Sequence, residues 1–417
     1  MTTLASITKF VGINFSGGAG GPSARFGTLS LSFARFGSDT DDDSDYTDIN
    51  SYVLSMKIAR GRARELEEFA AGSCIITLDN SDGRFDPGNS GSPYSGNIQP
   101  GKQLRIKFTD PTSSTVYYLF QGNISTWNID YNFPNMSVCQ IVAYDGLRAL
   151  SRNTVAVTTS NATTNVGIKE ILEDADYFNY SLDTGNSTLQ AKAFSNQNAL
   201  QAAQLLTNSE GLTAKLYADK ENQIVFKNRH AIYTDANSKA SQATFGAGSL
   251  PIEFVDTDFD DQLIKNKISI TREGGAAQTA TDSSSISAYN ESSYARTGLL
   301  METNTEALDY ANTTLQEFKD PEIRCKSIKF SPLKTTALLT QSLSRAITDR
   351  VTVQFSPPNA DAFDKELIIG GISHTITPEN WVTEFKFSSS NTDNLTALQL
   401  GPIDGTNGQF GTGTFFY

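Results

Sequence analysis

Short segments of alternating apolar and polar residues recur over positions 49–141, with turn-forming residues between them. In "QLRIKFT", the apolar residues Leu104, Ile106 and Phe108 alternate with two cations, so one face is apolar and the other is charged. A period of two is that of a half-buried strand. These segments are rich in β-branched and aromatic residues, with Gly, Pro, Asn or Asp at the breaks. The pattern predicts a first domain, residues 49–155, that is a small antiparallel barrel or sandwich.

The periodicity changes in the middle of the chain. "VGIKEILEDADYF" and "NALQAAQLLTNSEG" each place their apolar residues along one stripe at helical spacing. They are followed by "LTAKLYADKENQIVFKN", which predicts two alternating strands joined by a polar turn. Residues 156–249 are therefore predicted to form a small α+β insertion.

Strands return after position 250, first in "NKISITREG". A polar tract, "GGAAQTATDSSSISAYNESSY", follows and is too polar to form core. Thr303 and Glu306 then form a capping box, which predicts a helix that ends at the break Asp320–Pro321. The strand rhythm of the first domain returns in the last 70 residues or so, with one short helix near position 340.

The chain is thus predicted to be mainly β, with two barrel-like domains and an α+β insertion between them. The second barrel-like domain covers residues 250–417 and contains a helical and polar insertion at about 276–320 and a C-terminal tail. At 417 residues, the chain can bury a core in each domain without disulfides or metals.

Composition limits the function. A formal net charge of -13 argues against wrapping a nucleic-acid backbone, because such binding needs a surplus of Lys and Arg. Cys74, Cys139 and Cys325 lie far apart and are predicted to be reduced core residues. The N-terminal sequence has neither the pattern of a secretory signal nor the roughly 20 apolar residues of a membrane span, and we expect no span elsewhere.

Residues 1–48 are predicted to form an N-terminal arm and an acidic loop. Four aspartates alternate there, as in the first half of a calcium-binding loop. However, Ser44 and Asn50 stand where an EF-hand has its Gly and its bidentate Glu, so we favour a solvated loop over a calcium site. The four aspartates are Asp39, Asp41, Asp43 and Asp45.

Catalytic patterns are weak. The two histidines, His230 and His374, fall in different predicted domains, and a structural role is expected for His374 on its alternating strand. The sequence has no dinucleotide or phosphate-binding glycine motif. A carboxylate run could in principle supply a glycosidase pair, but such a run is usually a solvated face. The run consists of Asp256, Asp258, Asp260 and Asp261.

Three aromatic residues, Trp127, Tyr131 and Trp381, could stack on sugars, although core packing is favoured for them. The residues therefore predict no catalytic group, no cofactor site and no metal site, and we expect a protein that is not an enzyme. A carbohydrate-binding or carbohydrate-cleaving receptor module stays open as an alternative.

Three sequence blocks carry a resemblance to a known family. They are "IARGRARELEEFAAG" (58–72), "TLDNSDGRFDPGNSGSPYSG" (77–96) and "IQPGKQLRI" (98–106). Together with weaker matches such as "LIKNKISITREGG", "PEIRCKSIKFSP" and "IIGGISHTITPENWVTEFKFS", this chain resembles the baseplate hub or minor tail proteins of long-tailed bacteriophages.

The resemblance implies a structural virion protein with two tail-tube-like β-barrels. Three copies would form a pseudo-sixfold ring that joins a hexameric tail tube to the tail tip and lines the channel for DNA ejection. It implies a tube-end or distal tail protein on one side, a tip or fibre protein on the other, and a tape measure protein as a further contact. DNA would meet the protein only in transit, past an acidic lumen. Assembly would take place in the host cytoplasm. A hexameric distal tail protein is the alternative within the same class.

The second block, residues 77–96, is predicted to be a scaffold loop. Asp82 and Gly83 favour a turn in which Gly83 takes a positive φ, and Pro87 fixes the chain after it. Arg84 lies between two aspartates and is expected to form bidentate bonds to carboxylates of its own loop or of a neighbouring subunit.

Overall fold

The computed structural model describes residues 7–16, 43–62, 64–132, 136–259 and 261–388. Its largest element is a sheet of 13 strands that takes strands from both ends of the chain. The predicted class, mainly β with an α+β insertion, is confirmed. Most of the arm 1–48 and all of the C-terminal tail 389–417 lie outside the described residues. No helix among the described residues is long and apolar enough to cross a membrane.

The first seven strands form one antiparallel run, in the order β3-β4-β7-β6-β5-β1-β2. Their inward side chains form an apolar core, and the sequence analysis did not predict β1, which pairs with β5. A short helix, α1, follows the last of them, and Asp145 caps its N-terminus. The elements are β1 (Lys9–Asn14), β2 (Thr47–Asp48), β3 (Val53–Gly61), β4 (Ala70–Asp79), β5 (Gln103–Thr109), β6 (Val116–Asn132), β7 (Met136–Tyr144) and α1 (Gly146–Leu150).

The middle region contains both predicted helices and the predicted strand pair. The two helices, α2 and α3, pack their apolar stripes into a second core, which also includes strands β13 and β14. Those two strands pair antiparallel. The elements are β8 (Thr154–Val155), β9 (Ala162–Thr163), α2 (Thr164–Asp174), β10 (Tyr180–Leu182), β11 (Thr188–Leu189), β12 (Gln197–Asn198), α3 (Ala199–Glu210), β13 (Lys215–Ala218), β14 (Ile224–Lys227), α4 (Ala231–Thr234) and α5 (Ala236–Lys239).

The C-terminal region returns to strands, with a small sheet of β17, β18 and β19 packed on helix α7. The polar tract predicted to avoid the core forms β18 and α6, and it places Ala280 and Ser285 in the interior. The elements are β15 (Thr244–Gly246), β16 (Phe254–Asp258), β17 (Lys267–Arg272), β18 (Gln278–Thr281), α6 (Ser283–Tyr289), β19 (Ser293–Leu299), α7 (Asn304–Phe318), β20 (Arg324–Phe330), α8 (Thr336–Ser344), β21 (Arg350–Phe355), β22 (Phe363–Ile376) and β23 (Trp381–Ser388).

The two ends of the chain join where β22 pairs with β3. Gly61 faces Gly371 at the start of this pairing, with φ +97°. A Cβ added to Gly61 would lie 2.3 Å from the carbonyl oxygen of Gly370, so only glycine fits there. This junction makes one continuous sheet of two strand sets that are far apart in sequence. The first set consists of β1 to β7, and the C-terminal set consists of β15, β16 and β20 to β23.

Each strand set rolls around its own apolar core. The Phe108 ring on β5 lies 4.8 Å from the Trp381 ring on β23, although five strands separate them in the sheet order. In the C-terminal set, the Phe245 ring on β15 lies 5.2 Å from that of Phe330 on β20. Among the described strands, the hydrogen-bonded order stays open and does not close into a ring. The predicted domain boundaries remain predictions.

Candidate functional site

The loop predicted to be a scaffold, residues 80–96, is a series of tight turns after β4. Five backbone N–H groups each donate to the carbonyl three residues earlier, over 2.8–3.2 Å. Side-chain oxygens of Asp82, Asp86 and Asn89 add bonds of 2.8–3.1 Å to the N–H two residues later. Gly83 has φ +70°, as its position in the sequence predicted. The five donors are Gly83, Asp86, Asn89, Ser92 and Ser95.

Asn80 fixes this loop to the sheet. Its side chain is fully buried, accepts a hydrogen bond from the N–H of Phe85 at 2.8 Å and donates to Oγ of Ser137 at 3.1 Å. Phe85 is fully buried and packs against Tyr94, with ring centroids 5.7 Å apart. The loop therefore has its own small aromatic core, and its shape is set by internal contacts.

Arg84 binds within its own loop, as one of the two predicted arrangements requires. Its Nε donates to Oδ2 of Asp82 at 2.7 Å, and its guanidinium lies 3.9 Å from the centre of the Tyr52 ring. The hydrogen bond from Arg84 lowers the pKa of Asp82. Asp86, the other flanking aspartate, instead accepts a hydrogen bond from the hydroxyl of Tyr131. These contacts stiffen the loop.

The large sheet has a half-exposed face opposite its cores. One row of residues that pair across neighbouring strands runs from β23 to β7. Its five side chains are half-buried or exposed. The residues next to them along the strands, such as Ile58, Cys74 and Ile372, are buried in the cores. This row consists of Glu384, Ser373, Ala59, Ser73 and Tyr144. The next row on the same face mixes polar and apolar side chains; it consists of Val382, Thr375, Lys57, Ile75 and Val142.

The charges at the β16 end of this face are of both signs. Lys326 lies 3.6 Å from Asp256 and 3.5 Å from Asp258, and Lys329 lies 3.4 Å from Glu384. Each cation thus sits beside a carboxylate.

A cluster of ionisable groups lies between the sheet and the insertion. Two adjoining cavities of about 40 and 30 Å³ are both lined by Arg62, Glu65 and Lys215, and Glu317 lines the smaller one. Burial, and then the charge of Arg62, lower the pKa of Lys215 to about 7. Burial, and then the carboxylate of Glu65, raise the pKa of Glu317 to about 8. The cavities admit water but are too small for an organic substrate.

Both histidines have structural surroundings. His374 is buried, its Nδ1 lies 3.0 Å from Oγ1 of Thr383, and Nε1 of Trp381 donates to it at 3.4 Å. Burial, and then the charge of Arg60, lower the pKa of His374 to about 3, so the ring is neutral. The surroundings of His374 are consistent with the structural role predicted for it, which stays a prediction. His230 precedes helix α4 and is half-buried, and burial lowers its pKa.

The aromatic and acidic residues considered for sugar binding or catalysis do not form a common site among the described residues. Trp381 is fully buried and cannot stack on a sugar, as the core prediction required. Trp127 donates from Nε1 to the carbonyl of Gln99 at 3.0 Å, whereas Tyr131 is 55% exposed. Asp261 is exposed, and Asp260 lies outside the described residues. The three cysteines are buried and unpaired, as predicted.

The acidic loop is only partly described. Asp39 and Asp41 lie outside the described residues, whereas Asp43 pairs with Arg105 at 2.9 Å and with Lys107 at 2.7 Å. Asp43 therefore ties the end of the loop to β5. Within the part of the chain that the structure describes, no three His, Cys, Asp or Glu side chains gather as a metal site would require.

Sequence reasoning missed the ionisable cluster, because its members come from three distant segments. One signal was present: Glu317 follows Tyr310 and Thr314 at helical spacing, at the border of the buried stripe of α7. A charged residue at that position indicates a partly buried carboxylate.

Comparison with known proteins then identifies the fold. No protein-family model and no curated protein sequence matches this chain. Its structure is similar to the 43 kDa tail protein of prophage MuSo2 from Shewanella oneidensis, with a TM-score of 0.56 at 13% identity over 82% of this chain and 95% of that one. The chain has a phage tail-protein fold. It is also similar to the tail protein from Neisseria meningitidis MC58, with a TM-score of 0.58 at 11% identity over 92% and 97% of the two chains.

The same tail-protein fold extends to a larger assembly. A chain of the Francisella PdpA–VgrG complex matches with a TM-score of 0.50 at 12% identity, over 92% of this chain and 53% of that one. The resemblance to phage tail proteins found in the sequence blocks is thus confirmed at the level of the fold.

Proposed function

We propose that this chain is a structural component of a phage tail, the hub, and that three copies form a ring with pseudo-sixfold symmetry. The proposal is supported by the tail-protein fold and by the two rolled strand sets of each chain. Because each copy supplies two such sets, three copies present six to a hexameric tail tube.

One observation carries this proposal: β22 pairs with β3, which joins the two strand sets within a single chain. A sheet that is continuous across this junction holds both sets in one orientation. A copy with that geometry acts as two neighbouring tube subunits. The stiff loop 80–96 keeps the outline of the first set fixed beside this junction.

The half-exposed face of the sheet would line the central channel. Lys326 and Lys329 near β16 each lie beside a carboxylate, so DNA phosphates would gain little by binding to these two cations. A wall of this kind lets DNA pass during ejection without binding it. The acidic lumen expected from the net charge belongs to the same proposal.

The partners follow from the position of a hub. We propose a tail-tube or distal tail protein on one side, a tip or fibre protein on the other, and contact with a tape measure protein. The protein would reside in the virion tail after assembly in the host cytoplasm, without a catalytic role. Digestion of host cell wall by the purified chain would argue against that last point.

The subunit count tests the proposal. Light scattering on the purified protein is expected to give three times the 45.2 kDa of one chain. Six copies would favour the distal tail protein instead. A chain that stays monomeric at high concentration and is missing from purified tails would overturn both.

A further inference from the structure

The corner of the sheet at the end of β16 is exposed and apolar. Asp258 on β16 pairs in register with Arg324 on β20, so Phe259 and Ile323 stand side by side one residue further on. Phe259 is 65% exposed and Ile323 is 55% exposed. Two large apolar side chains so exposed on neighbouring strands indicate a contact surface.

Exposed carboxylates lie within three residues of this apolar pair in the sequence. Asp261 and Asp320 are exposed, and the N–H of Lys265 donates to the carbonyl of Phe318 at 2.7 Å, which holds the two acidic turns together. On β16 itself, two carboxylates share the single cation Lys326. We call this surface the acidic corner; its members are Phe259, Ile323, Asp256, Asp258, Asp261 and Asp320. It fits a partner that is both apolar and cationic.

The acidic corner also offers hydrogen-bonding backbone. Among the described strands, β16 pairs only with β20, so its other edge is open. Open strand edges are common sites of association between chains.

The same chain carries a complementary surface near α1. Lys220 lies 5.1 Å from the centre of the Tyr117 ring, and Arg148 lies 5.3 Å from that of Tyr144. Val116, beside Tyr117, is 51% exposed. These residues combine cations with aromatic and apolar area, as the acidic corner requires.

Two more contacts complete this second surface. The N–H of Gly146 donates to Oδ1 of Asn222 at 2.6 Å, which holds the turn of Lys220 against the start of α1. Arg152 is exposed just beyond the helix, and Glu221 is the acidic residue of the turn. We call this surface the basic corner; its members are Val116, Tyr117, Lys220, Tyr144, Arg148 and Arg152.

We propose that the acidic corner of one copy docks on the basic corner of the next copy, head to tail. This inference rests on the proposed function, since a contact between two different surfaces closes into a ring when the rotation between copies allows it. The apolar pairs supply the buried centre of the contact, and the charges set its orientation.

Two variants test the contact. The first, Phe259→Ser with Ile323→Ser, disables the acidic corner, and the second, Arg148→Glu with Lys220→Glu, disables the basic corner. Each is expected to run as a monomer in light scattering where the wild-type chain forms a ring. Mixed in equal amounts, they retain one intact contact between them and are expected to stop at heterodimers.

Leu54→Ser is the matched control, because Leu54 is 42% exposed but lies outside both corners. This variant is expected to assemble like the wild type. Lys220 is half-buried and the other changed residues are exposed, so thermal melting followed by circular dichroism should confirm that each variant is folded. Raising NaCl from 0.05 to 0.5 M is expected to weaken wild-type assembly about tenfold or more, since the charged contacts are screened.

The outcomes separate this inference from the proposed function. Folded corner variants that still assemble as trimers would overturn the corner assignment and leave the hub proposal standing. A wild-type chain that never assembles would overturn both. If neither variant assembles and their mixture stays monomeric, the head-to-tail geometry is wrong.

Discussion

Asn80 holds the loop 80–96 to the sheet through one buried side chain that accepts from Phe85 and donates to Ser137. Asn80→Ala would leave the buried N–H of Phe85 without an acceptor. We expect it to lower the free energy of unfolding by about 1–3 kcal/mol, measured by urea denaturation. Asn97→Ala, at an exposed position directly after the loop, should change it by less than about 0.5 kcal/mol. Equal losses in both variants would contradict the anchoring role.

Glu317 gives the stability a pH dependence of known sign. Its pKa rises from an ordinary 4.5 to about 8 on folding, so the folded chain keeps a proton that the unfolded chain releases in this window. Its contribution to stability is therefore present below about pH 4.5 and is lost as the pH rises toward 8. Glu317→Gln removes this pH-dependent contribution. We therefore expect the free energy of unfolding of the variant, relative to that of the wild type, to increase between pH 5 and pH 8.

Lys215 acts in a neighbouring window. Its pKa falls from 10.5 to about 7 on folding, so its contribution to the free energy of unfolding increases as the pH rises from 7 toward 10.5.

The prediction for Glu317 is checked by urea midpoints of the Glu317→Gln variant and the wild type at several pH values. Parallel profiles from pH 5 to pH 6, where Lys215 is mostly charged in both states, would show that Glu317 is not a buried acid.

Helix α7 depends on the capping box at its start. Oγ1 of Thr303 accepts from the N–H of Glu306 at 3.2 Å, and Oε2 of Glu306 accepts from the N–H of Thr303 at 3.0 Å. Thr303→Ala is expected to lower the free energy of unfolding by about 1 kcal/mol, whereas Thr303→Ser should keep most of it. Chemical denaturation measures both. A Ser variant as unstable as the Ala variant would mean that the loss comes from packing.

Elements such as α7 were predictable because their signals are local. A stripe at helical spacing and a cap three residues away lie within one short segment, as does the pair of Arg84 and Asp82. The pairing of β22 with β3 was not predictable, because partners some 300 residues apart leave no local pattern. Strand β1 was missed for the same reason, since its register is set by β5. The cavity of Lys215 and Glu317 likewise exists only after distant segments meet.

At the scale of the whole molecule, Trp381 links the two strand sets. It belongs to β23, yet it is fully buried in the core of the first set, 4.8 Å from the ring of Phe108. Because this core and the junction of β22 with β3 are shared, we expect the sheet to unfold in one cooperative transition. Trp381→Ala should remove about 3–5 kcal/mol, and Trp381→Phe distinctly less.

Two probes follow the strand sets separately in the Trp381→Ala variant. The fluorescence of Trp127 reports on the first set, and the hydrogen exchange of β20 and β21 reports on the C-terminal set. Both probes should shift by the same amount, because Trp381 joins a strand of the C-terminal set to the core of the first set, so that the two sets unfold together. A shift confined to Trp127 would mean that the sets are independent units joined only by strand pairing. One chain would then no longer hold its two sets in a fixed orientation, and three copies would have no geometric reason to match a sixfold tube.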